Sequence, residues 1–194
     1  MLQSKGEKTR EHILKTTRGL LITQGFYNTS ISDVLAATGV KKGNLYYYFA
    51  SKEDLGRAVL QDAKEEFFVF LARSFAGDTP IDKILHSCET IFAEHRKKHF
   101  VGGCLFGNTA LEMSDNNPEF AKVIDEVFTQ WTTTLTALLA DAAAQRLLPG
   151  PIPPRLLAKT LIATMEGAIM MSRVSKDKSD LDDCLRALRH LLGR

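Results

Sequence analysis

Apolar residues recur three and four positions apart through most of the chain, and no sustained apolar/polar alternation bounded by turns suggests a strand. The pattern therefore predicts an all-α protein, and its glycine, proline and capping signals divide it into about nine helices. A first helix is expected from about Lys5 to Gln24, with Ile13, Leu14, Thr17, Leu20 and Leu21 on one face and Gly25 at its end. Phe26 can then turn back into the core. Ser30 and Asp33 have the spacing of a capping box, with Asp in place of Glu. Val34, Leu35 and Ala37 give the second helix a small inner face, and Thr38-Gly39-Val40 breaks it into a tight turn.

The third helix is the informative one. At 100° per residue, setting Leu45 inward puts Phe49 about 40° away and also inward, whereas Gly43, Tyr46, Tyr47 and Ala50 cluster on the opposite side. Tyr48 lies at the boundary. Three consecutive tyrosines on a short helix span about 200° of its circumference, so they cannot all be buried. The outward face thus carries phenol hydroxyls and a glycine that permits close backbone approach, with Lys41, Lys42 and Asn44 at the helix start. Two short helices about a tight turn, the second with Lys, Asn and Tyr outward, form a helix-turn-helix suited to a major groove, where Lys and Tyr reach phosphates and residues near the N-terminus reach base edges. The bland alternative is a three-helix bundle whose lysines are merely solvated.

Ser51 as N-cap and Asp54 as its partner open a fourth helix, expected from Lys52 to about Phe75 and dense in phenylalanine (Phe67, Phe68, Phe70, Phe75). Thr79-Pro80 starts the next, with Ile81, Ile84, Leu85, Cys88, Ile91 and Phe92 on its apolar face and the basic run Arg96-Lys97-Lys98-His99 at its end. A glycine-rich helix is expected from Gly102 to about Ser114, with Cys104, Asn108, Leu111 and Glu112 on one face. After Pro118 a long helix to about Gln145 places Phe120, Val123, Ile124, Val127, Trp131, Leu135 and Leu138 along one stripe. Leu148 to Pro154 interrupts the helical pattern firmly. Arg155 to Val174 is then apolar nearly all round, and a last helix after Ser179 has Leu181, Cys184, Leu185, Leu188, Leu191 and Leu192 on one face. A helix with so little polar surface needs cover on two sides. The two helices can pack inside the monomer, but the apolar excess favours a homodimer in which the pair makes a four-helix arrangement across a two-fold axis, through Leu157, Leu161, Thr164, Ala168, Leu181, Leu185 and Leu188.

Charge sharpens the picture. The overall formal charge of +2 is too small to indicate a partner, but up to Lys52 there are eight Lys or Arg against three Asp or Glu, and beyond it seventeen against twenty. The excess of positive charge lies with the helix-turn-helix. The three cysteines are far apart and lack C-x-x-C spacing, so neither a disulfide framework nor a metal site is expected, and no cofactor is implied. The N-terminal residues are charged with no apolar h-region, and no apolar run approaches the roughly 20 residues of a spanning helix, so a soluble cytoplasmic protein with no membrane partner is expected.

The run Thr29-Ser30-Ile31, the turn Thr38-Gly39-Val40 and the stretch from Lys42 to Leu55, together with Gly25-Phe26, resemble the N-terminal domain of the TetR family of bacterial transcriptional regulators over about fifty residues. The resemblance implies a helix-turn-helix domain over 1–52 and a larger helical effector-binding and dimerisation domain over 53–194. It implies DNA contacts from Ser30, Lys42, Gly43, Asn44, Tyr46, Tyr47, Tyr48 and Lys52. Relatives often carry Ser or Thr at the position of Asn44 and His at that of Tyr47, so no base preference transfers. Gly103-Cys104-Leu105-x-Gly107-Asn108 with Glu112 downstream is similar to one branch of the family, which includes some regulators that sense electrophiles. Cys104 has two readings, a small buried apolar residue or a sensing thiol.

The expected function is a homodimeric regulator, a repressor, that binds a near-palindromic double-stranded operator and is released by an apolar, aromatic or electrophilic small-molecule effector. Phe67, Phe70, Phe92, Cys104, Asn108, Trp131 and Met165 are the candidate effector contacts. An enzyme is disfavoured, since no metal-spaced His/Cys cluster, nucleotide-binding glycine loop or nucleophile elbow is present. A helical ligand carrier would have no use for the basic N-terminal module.

Overall fold

A computed structural model describes residues 4–194. Among these residues there are nine helices and no strand: α1 (Lys5–Gln24), α2 (Ile31–Thr38), α3 (Lys42–Tyr48), α4 (Lys52–Ser74), α5 (Pro80–Lys97), α6 (Leu105–Met113), α7 (Pro118–Ala144), α8 (Pro154–Ser175) and α9 (Ser179–Leu191). The capping chemistry fixes their starts. Ser4 with Glu7, Ser30 with Asp33 and Thr79 with Asp82 form complete capping boxes at α1, α2 and α5, and Pro80 occupies the first turn of α5. At α4 the Asp54 amide donates to Ser51 Oγ at 3.0 Å, while Asp54 Oδ2 accepts from the Ala50 amide at 3.1 Å.

The chain divides into two compact units, and the division does not fall at Lys52. One unit comprises Met1–Phe67 with Leu105–Asp125, the other Phe68–Cys104 with Glu126–Arg194. In the first, α1 packs on α2 and touches α6. Its interior includes Ile13, Leu14, Leu21, Phe26, Val34, Leu45, Phe49 and Leu55. Phe26 meets Phe120 edge-on with ring centroids 4.9 Å apart, over Gly56, where a Cβ would come within 2.6 Å of the Phe26 ring and 2.7 Å of Phe120. Glycine is therefore required there by close approach. Arg18 pairs with Glu66 at 2.6 Å on the surface of the same unit.

In the second unit α5, α8 and α9 pack on one another. Ser74 Oγ donates to Ser87 Oγ at 2.7 Å, which satisfies two buried hydroxyls at once. Arg96 pairs with Asp182 at 3.1 Å and Arg189 with Glu89, tying α9 to α5.

Several expectations change here. Gly102 and Gly103 stand outside α6 with φ of +88° and +71°, so the glycine-rich helix begins only at Leu105 and Cys104 precedes it. Leu111, expected on the same face as Glu112, is 86% exposed. On α2 the buried residues are Val34 and Thr38, whereas Ala37 is exposed. Of the residues assigned to a dimer interface, Leu157, Leu161, Ala168, Leu181 and Leu188 are buried within the protomer; Leu185 is half-buried and Thr164 exposed. The apolar circumference of α8 splits instead. One face lies in the unit's own interior, and the other carries exposed Leu156, Met170, Met171 and Val174.

Candidate nucleic-acid interface

The interface begins with two anchors. Leu45 and Phe49 are 1% and 2% exposed, which fixes the rotation of α3. Phe49 itself is extended (φ −138°) just beyond the helix, yet still turns inward. Arg10 covers its ring, with the guanidinium carbon 5.5 Å from the centroid. Gly39, in the left-handed conformation at φ +68°, makes the turn into α3, and His12 Nε2 lies 3.0 Å from the Thr38 carbonyl, bracing α1 against that turn.

With that rotation fixed, the remaining α3 side chains divide as the helical geometry requires. Lys41, Lys42, Gly43 and Asn44 are exposed, as are Tyr46 and Tyr47, the latter at 82%. A Cβ on Gly43 would meet nothing within 4 Å, so packing inside the protein does not account for this glycine. Lys42 Nζ lies 6.0 Å from the Tyr46 ring centroid, which gathers a cation and a phenol at one end of the helix. Tyr48 is half-buried: its ring meets Tyr47 edge-on at 5.1 Å, and its hydroxyl lies against Gly6 of α1. The boundary position thus belongs partly to the α1 contact.

Two of the expected contacts have other work inside the protein. The Ser30 hydroxyl donates to Asp33 Oδ2 at 2.7 Å and accepts from the Asp33 amide at 3.1 Å. The hydroxyl bond, together with the Ser30 amide donating to Asp33 Oδ2 at 2.8 Å, holds the Asp33 carboxyl below the usual range, with Lys52 adding to the effect. Lys52 Nζ donates to the Tyr27 carbonyl at 3.3 Å and sits 4.4 Å from the Phe26 ring centroid, clamping the segment between α1 and α2. Glu112 holds the same segment through the backbone amides of Phe26 and Tyr27. Its role was not legible from periodicity, which placed it only on a helix face shared with Cys104.

The candidate effector contacts divide between the units, Phe67 and Asn108 in the first and Phe70, Phe92, Cys104, Trp131 and Met165 in the second. The Phe67 and Phe106 rings meet tilted at 60°, with centroids 5.8 Å apart. Phe92, Trp131 and Met165 are buried, while Phe70 is half-buried. The Cys88 thiol donates to Met165 Sδ at 3.4 Å. Cys104 is half-buried and its thiol donates to the Glu166 carboxylate; burial pushes the Glu166 carboxyl up and this bond opposes the rise. Glu166 Oε1 is buried without a hydrogen-bond partner. Immediately upstream, His99 (φ +51°) and Phe100 (φ +58°) are left-handed, a backbone cost of roughly 1–2 kcal/mol per residue. Among the described residues no group of His, Cys, Asp and Glu could hold a metal ion, and no helix is long and apolar enough to cross a membrane.

A helix-turn-helix with an anchored, outward-reading second helix, joined to a larger helical region, defines a helix-turn-helix transcriptional regulator. Residues 13–59 match the family described as bacterial regulatory proteins, tetR family, and residues 80–188 match the tetracyclin repressor-like C-terminal domain. The chain belongs to the TetR family. A TetR transcriptional regulator from Chloroflexus aurantiacus J-10-FL, known from its crystal structure, is 31% identical with a TM-score of 0.90, covering 98% of this chain and 96% of that one. The HTH-type transcriptional repressor DhaR of Mycobacterium sp. (strain GP1) is 27% identical over 179 residues, 91% of this chain and 88% of its own length. The HTH-type transcriptional repressor NemR of Escherichia coli (strain K12) is 26% identical over 188 residues, 95% of this chain and 94% of its own.

Proposed function

We propose that the protein is a homodimeric, ligand-responsive repressor that binds a near-palindromic operator and releases it when a small molecule occupies its C-terminal region. The observation that carries this reading is the division of α3: Leu45 and Phe49 anchored, Lys42, Gly43, Asn44, Tyr46 and Tyr47 presented outward. Lys42 and the tyrosines would hold phosphates, while Asn44, near the helix start, would read a base edge. Ser30 and Lys52 would add backbone contacts beside their internal bonds, and Tyr48 would contribute its exposed edge. Two names among the relatives, DhaR and NemR, are repressors, which supports that sign of regulation.

The dimer would form on the exposed face of α8, through Leu156, Thr164, Met170, Met171 and Val174, with α9 alongside. The effector would be apolar, aromatic or electrophilic. Among the three thiols the sensing reading favours Cys104 by its exposure: it is partly exposed, whereas burial pushes Cys88 up to about 12 and Cys184 up to about 11. Sequence selection from random duplexes tests the DNA reading, with a palindromic consensus expected; enrichment of no sequence at any salt concentration would defeat it. An operator-release screen against apolar, aromatic and electrophilic compounds then tests the effector class. Electrophile release that persists in Cys104→Ser removes the thiol reading.

A further inference from the structure

The segment joining α1 to α2 is held by a carboxylate from a distant part of the sequence. Glu112, near the end of α6, accepts from the Phe26 amide at 2.8 Å through one oxygen and from the Tyr27 amide at 2.7 Å through the other. Hydrogen bonds from backbone amides to an ionised carboxylate are among the stronger ones available to a protein. The site is shaped for this carboxylate. Gly25 takes φ +83°, and a Cβ there would lie 2.8 Å and 3.0 Å from the two Glu112 oxygens, so only glycine leaves room. From another direction Lys52 Nζ donates to the Tyr27 carbonyl and lies over the Phe26 ring. Phe26 is in turn seated on Phe120. The amides that Glu112 holds lie three and four residues before Ser30, the cap of α2, which leads through Gly39 into α3.

We infer that Glu112 is a positioning residue for DNA recognition: by gripping the Phe26 and Tyr27 amides it sets the orientation in which α2 and α3 are carried. The inference rests on the operator-binding reading above. α6 belongs to the same compact unit as α1, α2 and α3, so this carboxylate holds the α1–α2 segment from within the unit that carries the reading helix. A dimer reading two half-sites depends on orientation in a way that non-specific phosphate contact does not. Once one half-site is bound, a loosely held second head has a lower effective concentration at the other, whereas non-specific affinity follows the number of phosphates neutralised.

The test is Glu112→Gln in the full-length dimer, measured on a selected palindromic operator and on an unrelated duplex of equal length, with amide exchange followed at Phe26 and Tyr27. Glutamine keeps the shape, but its NH2 group turns a donor toward one backbone N–H. We expect exchange at both amides to quicken, operator affinity to fall about tenfold, and affinity for the unrelated duplex to stay within about twofold. Glu112→Asp, which keeps the charge on a shorter arm, should fall between, and it serves as the second variant should the glutamine form fold poorly. Faster exchange with unchanged operator affinity would overturn the assignment, as would equal losses on both duplexes, which report a damaged fold. Failure of the unaltered protein to select any operator is the failure of the DNA reading itself, and it removes this inference with it.

Discussion

On the native protein, an alkylating agent should find one thiol of the three. Cys88 is 3% exposed, its ionisation is pushed up to about 12 chiefly by burial, and its S–H is directed at Met165 Sδ. Cys184 is 7% exposed, is pushed up to about 11 for the same reason, and donates to the Thr164 carbonyl at 3.7 Å. Since the thiolate is the nucleophile, ionisation sets the ceiling on rate. At pH 8 about one molecule in ten thousand is ionised at Cys88 and about one in a thousand at Cys184, against about one in four for an unperturbed cysteine. Even before restricted access is considered, these two should alkylate more than a hundredfold more slowly than an ordinary thiol. Cys104 is half-buried and lies in the segment just after the left-handed pair His99 and Phe100. Timed iodoacetamide labelling at pH 8, quenched and mapped by peptide mass, gives the three rates separately, and the same reaction in concentrated urea should label all three. Labelling of Cys88 or Cys184 within about tenfold of Cys104 in the folded protein would show that burial does not suppress ionisation as described.

Acid should destabilise the protein above the range in which its surface carboxylates titrate. His95 is held at about 4, chiefly by burial with Lys98 adding, so the unfolded chain takes up its proton first; stability present near pH 7 is lost as pH falls from about 6.5 towards 4, roughly 2 kcal/mol of it by pH 5. Urea denaturation at both pH values should show this slope, and His95→Gln should flatten it; a variant with the unchanged slope assigns the effect elsewhere. Tyr47→Ala, at a residue 82% exposed, should leave stability within about 0.5 kcal/mol yet weaken operator binding several-fold in a direct titration. Lys42→Ala should reduce the salt dependence of binding by about one phosphate contact. Met170→Glu, on the exposed face of α8, should shift sedimentation toward monomer by at least about tenfold in dissociation constant while the protomer stays folded; an unaltered dimer would move the interface away from that face.

Most of the fold was legible because helix boundaries are written in local chemistry. Ser30 with Asp33, Thr79 with Pro80, and the proline-rich stretch before α8 mark their positions within a few residues. The rotation of α3 was legible for the same reason, as Leu45, Tyr46 and Tyr47 stand where 100° steps put them. What periodicity does not encode is which of two apolar faces a helix gives to its own protomer. Leu161 and Met170 are equally acceptable as core by composition, and only packing against α5 and α9 buries one and leaves the other exposed. The start of α6 was misplaced because glycine permits helix and left-handed turn alike, and Gly102 and Gly103 took the turn. The phosphate contact expected of Lys52 rests on its place in a motif; its further bond to the Tyr27 carbonyl depends on a long-range approach that no local pattern encodes.

The compact units also differ from the boundary that composition and charge suggest. Composition and charge change near Lys52, so a sequence boundary falls there; compactness follows which apolar faces cover one another. Leu105, Phe106, Thr109 and Met113 are buried, and α6 groups with the basic N-terminal helices rather than with the region that precedes it in the chain. The compact unit that carries the helix-turn-helix therefore does not end where the motif ends. It includes a helix supplied from beyond residue 100, whose carboxylate grips the backbone three residues before α2 is capped. A single carboxylate accepting two amides is a stiff connection, because either bond alone would allow the segment to pivot and the pair does not. Stiffness at that point holds the segment that leads into α2 and, through Gly39, into α3, without any contact to Tyr46 or Tyr47.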